Sequence, residues 1–191
     1  GYFLFRHLIS EKDSGISLTK KQMDDFFTTI IFSVILGGRL GYVLFYNLPF
    51  FLRHPLEILA VWHGGMSFHG GLLGVIIGTV LFARAVDRSR DAPARQGTFR
   101  TAFRLLDMVA VVAPIGLFFG RIANFINMEV MGRPTTRPWG VVFAGDNALP
   151  RHASPLYEAA AEGLVLFTLM YGLCRWTRLR THPGALSGVL G

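Results

Sequence analysis

An all-α, polytopic integral membrane helix bundle is the fold the sequence predicts, and three observations predict it. Of the 191 residues, 51% are apolar and only 16% charged, against about 25% charge in a soluble domain. A mean hydropathy of +0.43 means more apolar surface than one core of this size can hide, so lipid must take the surplus. The Lys and Arg residues also alternate in density between successive apolar stretches, as they do in multi-pass membrane proteins.

Taken in order, residues 1–10 are apolar but lack a basic n-region and a small-residue cleavage site, so they read as the tail of a transmembrane helix and not as a signal peptide. Four stretches follow, at 24–46, 66–86, 105–127 and 154–174, each near the roughly 20 helical residues that cross about 30 Å of hydrocarbon. All should be helices, because lipid leaves an open strand edge without partners. Another apolar stretch begins near Gly184 and is still apolar at Gly191. With Gly1 in place of Met, the chain is expected to be a fragment: four full spans, partial spans at both ends, and a parent with seven. Residues 1–191 then form a single transmembrane domain, with 128–153 as the sizeable external loop region.

Orientation follows from the basic residues. Thirteen of the nineteen lie in one set of alternate loops: Arg6, Lys12, Lys20 and Lys21; Arg84, Arg88, Arg90, Arg95, Arg100 and Arg104; Arg175, Arg178 and Arg180. Those loops are expected to be cytoplasmic, and the loops with Arg53, Arg133, Arg137 and Arg151 external. The net charge of +7 is therefore a topology signal; the run from Arg84 to Arg104 lacks interleaved aromatics and links two spans, which argues against a nucleic-acid partner. One cysteine, Cys174, excludes a disulfide framework and a CxxC redox centre. Gly37 and Gly41, then Gly70, Gly74 and Gly78, then Gly116 and Gly120, recur at helical spacing and should let helix backbones approach closely.

Charge inside a membrane is costly, so each instance is a functional candidate. Counted from the outer span ends at about 1.5 Å per residue, Arg39 lies about 10 Å deep, His69 about 5 Å, Arg121 about 9 Å, and Glu158 and Glu162 between about 6 and 12 Å. One outer-leaflet site would explain all five. The plainer alternative pairs Arg39 with Glu158 or Glu162 as interhelical glue and leaves His69 as a satisfied polar residue.

Arg121, Asn124 and Asn127 recur every three residues before Glu129, setting a guanidinium and two amides along one helix face. An arginine fork matches phosphate or carboxylate oxygens bidentately and is weakly hydrated, so anion binding stands beside a structural network as the reading of this segment. Paired glycines flank His69 at Gly64-Gly65 and Gly70-Gly71, which lets a headgroup or another backbone come close, and an imidazole suits proton abstraction. Ser67 is no hydrolase nucleophile, since Gly65-Met66-Ser67-Phe68-His69 ends in His where an elbow needs Gly. His63 and His69 lack the spacing of a helical metal pair. No metal, no cofactor and no protein nucleophile are expected.

Four words of the sequence resemble the bacterial prolipoprotein diacylglyceryl transferase family. They are Gly37-Gly38-Arg39-Leu40-Gly41-Tyr42-Val43-Leu44-Phe45-Tyr46-Asn47, the run 64–71 around His69, Gly120-Arg121-Ile122-Ala123-Asn124-Phe125-Ile126-Asn127-Met128-Glu129, and Arg151-His152-Ala153-Ser154-Pro155-Leu156-Tyr157-Glu158. The resemblance implies an enzyme that moves diacylglyceryl from phosphatidylglycerol to the lipobox cysteine thiol of a prolipoprotein, releasing glycerol 1-phosphate. The substrate supplies the nucleophile, so Cys174 becomes a bystander. It further implies that His69 takes the thiol proton, that Arg121 holds the phosphatidylglycerol headgroup, that Asn124 and Glu129 orient donors and loop, and that Arg39 belongs to the substrate-binding set. The implied location is the bacterial cytoplasmic (inner) membrane, multi-pass, with the site toward the periplasm.

The family's early His-Trp-Tyr stretch and its late arginine and glutamate motif are expected before Gly1 and after Gly191, and His63 stands where relatives often carry Asp. The rival reading is a transporter or lipid flippase with an outer-leaflet polar path, which would favour a midplane site and paired repeats; a noncatalytic lipid-binding scaffold is a third.

Overall fold

A computed structural model of the chain describes residues 1–10, 15–89, 97–143 and 149–190. Lys12, Arg90 and Arg95, which contributed to the charge asymmetry, lie outside the described residues. The helices are α1 (Tyr2–Ser10), α2 (Lys20–Phe45), α3 (Leu48–Arg53), α4 (Phe68–Arg88), α5 (Thr98–Ile126), α6 (Ser154–Trp176) and α7 (Ala185–Leu190), with short 3₁₀ turns at Pro55–Leu59, Val61–His63 and Arg178–Thr181. Four of them, α2, α4, α5 and α6, are long and apolar enough to cross a membrane. The all-helical multi-pass class expected from composition is thus what the chain adopts. Helix α5 starts at Thr98 instead of near 105, so Arg100 and Arg104 extend the helix below its apolar part.

The chain divides into two compact units, Ile9–Leu106 and Gly1–Leu8 with Asp107–Gly191. In the first, α2 begins at a capping box: the Thr19 hydroxyl accepts from the Gln22 amide (3.2 Å) and the Gln22 side chain accepts from the Thr19 N–H (2.9 Å). Its main partner is α4, and glycines form the seam. A Cβ on Gly41 would stand 2.7 Å from Gly70 Cα, and one on Gly74 would run into the Ser33 carbonyl oxygen. The two backbones therefore touch, which gains dispersion contacts where lipid supplies no hydrophobic drive. Large side chains flank the seam on the outside: Ile31, Phe32, Leu36, Leu40 and Leu44 of α2 and Leu72, Leu73, Ile76, Ile77 and Leu81 of α4 are exposed, as a lipid-facing surface requires. At the other end Phe26 and Phe82 meet with ring centroids 5.0 Å apart.

In the second unit, buried Phe5 and Leu8 fix α1, and Arg180 donates to the Leu8 carbonyl. Buried Asp107 of α5 caps α7: its carboxylate accepts from the Gly184 amide (2.7 Å), the Ser187 amide (2.8 Å) and the Ser187 hydroxyl (2.9 Å). The loop after α5 folds back on residues 149–153, with Val141 and Arg151 exchanging both backbone hydrogen bonds at 2.9 Å and the His152 amide donating to the Arg133 carbonyl at 3.0 Å.

Candidate active site

Each unit carries part of the predicted site. In the first, the Ser67 amide donates to the Gly38 carbonyl (2.9 Å), and the Ser67 hydroxyl caps α4 by accepting from the Gly70 amide (3.2 Å). His69 is the second residue of that helix. Its imidazole is exposed, stands edge-on to Phe68, and has no hydrogen bond among the described residues, so both ring nitrogens are open to a ligand.

Arg39 is only 5% exposed, and its five N–H donors are all directed at backbone carbonyls of the segment before α4. Nε donates to Ile58 (2.9 Å), one terminal nitrogen to Gly64 (2.5 Å) and Gly65 (3.2 Å), the other to Glu57 (2.5 Å) and Ala60 (3.1 Å). The Phe51 ring covers the cation at 5.2 Å. Within its unit, then, the Arg39 guanidinium is spent on the protein's own backbone and ties the segment before α4 to α2. A buried guanidinium needs its donors satisfied, and a loop wrapped around it does that completely. The sequence reading missed this loop, although the helix-starting prolines Pro49 and Pro55 and the Gly64-Gly65 pair, both at positive φ, were visible cues.

In the second unit, Arg121 of α5 meets both carboxylates of α6. One terminal nitrogen lies 2.9 Å from Glu158 Oε2; Nε and the other donate to Glu162 Oε2 at 3.2 and 3.0 Å. A local widening of α6 presents both acids: Ala159–Val165 is π-helical, a form that recurs at functional sites. Gly163 brings the segment against α5, where a Cβ would fall 2.6 Å from Phe118 Cβ. The signal available in sequence was that Glu158 and Glu162, four apart, are the acids of their span and Arg121 the cation of its own.

Beyond Arg121, α5 closes on a left-handed residue, Met128 (φ 57°), with the Met128 amide donating to Phe125 (3.2 Å) and the Glu129 amide to Asn124 (2.8 Å). That pair of bonds usually uses glycine at the left-handed position. Val130 is left-handed too (φ 55°), which is costly for a β-branched residue. Glu129 lies between these two left-handed residues at the helix end, exposed and without an ion pair among the described residues. The Asn124 side chain is half-buried and likewise has no hydrogen bond among them.

The family model described as prolipoprotein diacylglyceryl transferase matches residues 1–190. The chain belongs to that family. Among curated proteins, it is 49% identical to the phosphatidylglycerol-prolipoprotein diacylglyceryl transferase of Rhodospirillum rubrum, over 99% of this chain and 65% of that protein. It is 46% identical to the protein of the same name from Nitratidesulfovibrio vulgaris, over 100% of this chain and 66% of that one. The Azospirillum brasilense protein of that name is 52% identical over 87% of this chain and 58% of its own length. The chain thus spans less than two thirds of these relatives.

Proposed function

We propose that the protein containing this chain transfers the diacylglyceryl group of phosphatidylglycerol to the lipobox cysteine of prolipoproteins, in the inner membrane of a bacterium and on its external side. The observation that carries this reading is Arg121: a guanidinium within a span, partly open, on the helix whose end holds Asn124 and Glu129, in a member of the prolipoprotein diacylglyceryl transferase family. Nothing in this arrangement favours the transporter reading.

The roles follow from the chemistry. His69 takes the proton of the peptide thiol, since a thiolate, not a thiol, is the nucleophile. Sulfur attacks the terminal diacylglyceryl carbon, the C–S bond forms, and the C–O bond to phosphate breaks. The electron pair leaves with the phosphate, which departs as glycerol 1-phosphate. Arg121 holds the phosphodiester and stabilises the charge that grows on it. Asn124 and Glu129 orient the headgroup from the end of α5, while Arg39 positions the loop that leads to His69.

The test is to incubate the full-length protein with phosphatidylglycerol vesicles and a lipobox peptide and follow the peptide's mass. Gain of one diacylglyceryl group per cysteine is expected. A peptide of unchanged mass, with the protein folded and the lipid present, overturns the reading.

A further inference from the structure

Arg121 has two carboxylate partners where one would neutralise it. The arrangement is built by the backbone: the π-helical turn Ala159–Val165 and the contact of Gly163 on Phe118 both press this stretch against α5. The two acids are not equivalent. Glu162 receives two guanidinium nitrogens, Glu158 one. The cluster is also reachable, with the three side chains 29%, 34% and 41% exposed for Arg121, Glu158 and Glu162.

Resting on the transferase reading above, we propose that Glu158 and Glu162 determine the charge selectivity of the Arg121 anion site, admitting a singly charged phosphodiester and expelling the phosphomonoester made from it. One guanidinium between two carboxylates leaves the empty cluster with one excess negative charge. A diester headgroup brings a single charge and exchanges with Glu158, the acid held by one contact, while Glu162 keeps Arg121 in place. When the C–O bond breaks, its electron pair stays on the phosphate, and the resulting monoester carries about −1.5 to −2 near neutral pH. That added charge arises beside two carboxylates, and the repulsion grows in proportion to it. Glu158 then returns to Arg121 as the monoester leaves. The same repulsion disfavours phosphatidate, whose headgroup is itself a monoester, without any contact to a glycerol hydroxyl.

The experiment uses the full-length protein in phosphatidylglycerol vesicles with a lipobox peptide, comparing the wild type with Glu158→Gln and Glu162→Gln. Inhibition is measured with glycerol 1-phosphate, a monoester, and with glycerophosphoglycerol, a diester. In each Gln variant the monoester should bind about tenfold tighter, between the bulk-water and protein-surface limits for one charge pair, while the diester, with one charge against about 1.5 to 2, should gain only about three- to fivefold. Glu158→Asp and Glu162→Asp keep the charge and should keep the wild-type ratio. Equilibrium binding of radiolabelled glycerol 1-phosphate to the solubilised protein, and its displacement by unlabelled glycerophosphoglycerol, gives the same ratio for a variant that no longer turns over. A monoester-to-diester ratio unmoved in the Gln variants, or moved equally by Asp, overturns the proposal. Failure of the wild type to modify the peptide overturns the transferase reading instead, so the two failures are distinguishable.

Discussion

Three ionisable residues divide the labour, and their surroundings say how. His69 is exposed at the start of α4, while Arg121 is held by two acids. Replacing His69 by Gln should abolish transfer to a lipobox peptide yet leave binding of phosphatidylglycerol near normal, whereas Arg121→Ala should weaken lipid binding as well. Equilibrium binding of radiolabelled phosphatidylglycerol to the detergent-solubilised protein separates the two effects, and turnover retained by His69→Gln would remove His69 from the role of base. Arg39 belongs to a different class, because its five bonds end on carbonyls of Glu57, Ile58, Ala60, Gly64 and Gly65. Arg39→Ala leaves those acceptors without their donor, and about 3–5 kcal/mol of stability should be lost. Denaturant unfolding in detergent reads the loss, and new protease cuts between residues 54 and 66 should accompany it. Arg39→Lys should recover less than half, since an ammonium has three donors and no planar fork.

Between helices, the spacing of small residues decides how close the backbones come. Gly74→Leu would force a side chain into the Ser33 carbonyl, and Gly41→Leu into Gly70. Either should part α2 from α4 and lower the unfolding midpoint clearly more than Gly116→Leu, whose position has open space around it; equal effects would count against the glycine seam. The α2–α4 seam was legible in the sequence from small residues at helical spacing, whereas the same spacing at Gly116 and Gly120 of α5 brings no backbone close, since a Cβ at either would have nothing within 4 Å. The four spans were legible for the same kind of reason, with apolar length setting them to within a few residues except at the start of α5. The wrap of residues 55–65 around Arg39 was not. Hydrogen bonds from a side chain to carbonyls eighteen to twenty-six positions away leave no periodic trace. Nor was it readable that both Glu158 and Glu162 reach the one guanidinium of Arg121, because the π-helical winding beside them breaks the regular helical spacing.

At the scale of the molecule, the proposed orientation in the membrane is open to a direct chemical test. Cys174 is buried and is the native thiol, so an introduced cysteine can be labelled over a low background. Trp139→Cys should react with an impermeant maleimide from outside intact spheroplasts, and Arg88→Cys only after the membrane is opened; the reverse order would invert the topology. A last consequence concerns the order of synthesis. Asp107 and the amides of Gly184 and Ser187 that satisfy its carboxylate are 77 and 80 positions apart. The ribosome therefore delivers the acid to the bilayer long before it delivers the donors. Through that interval α5 must wait near water or beside a borrowed partner, and a nascent chain stalled ahead of Gly184 should be a ready target for membrane quality control.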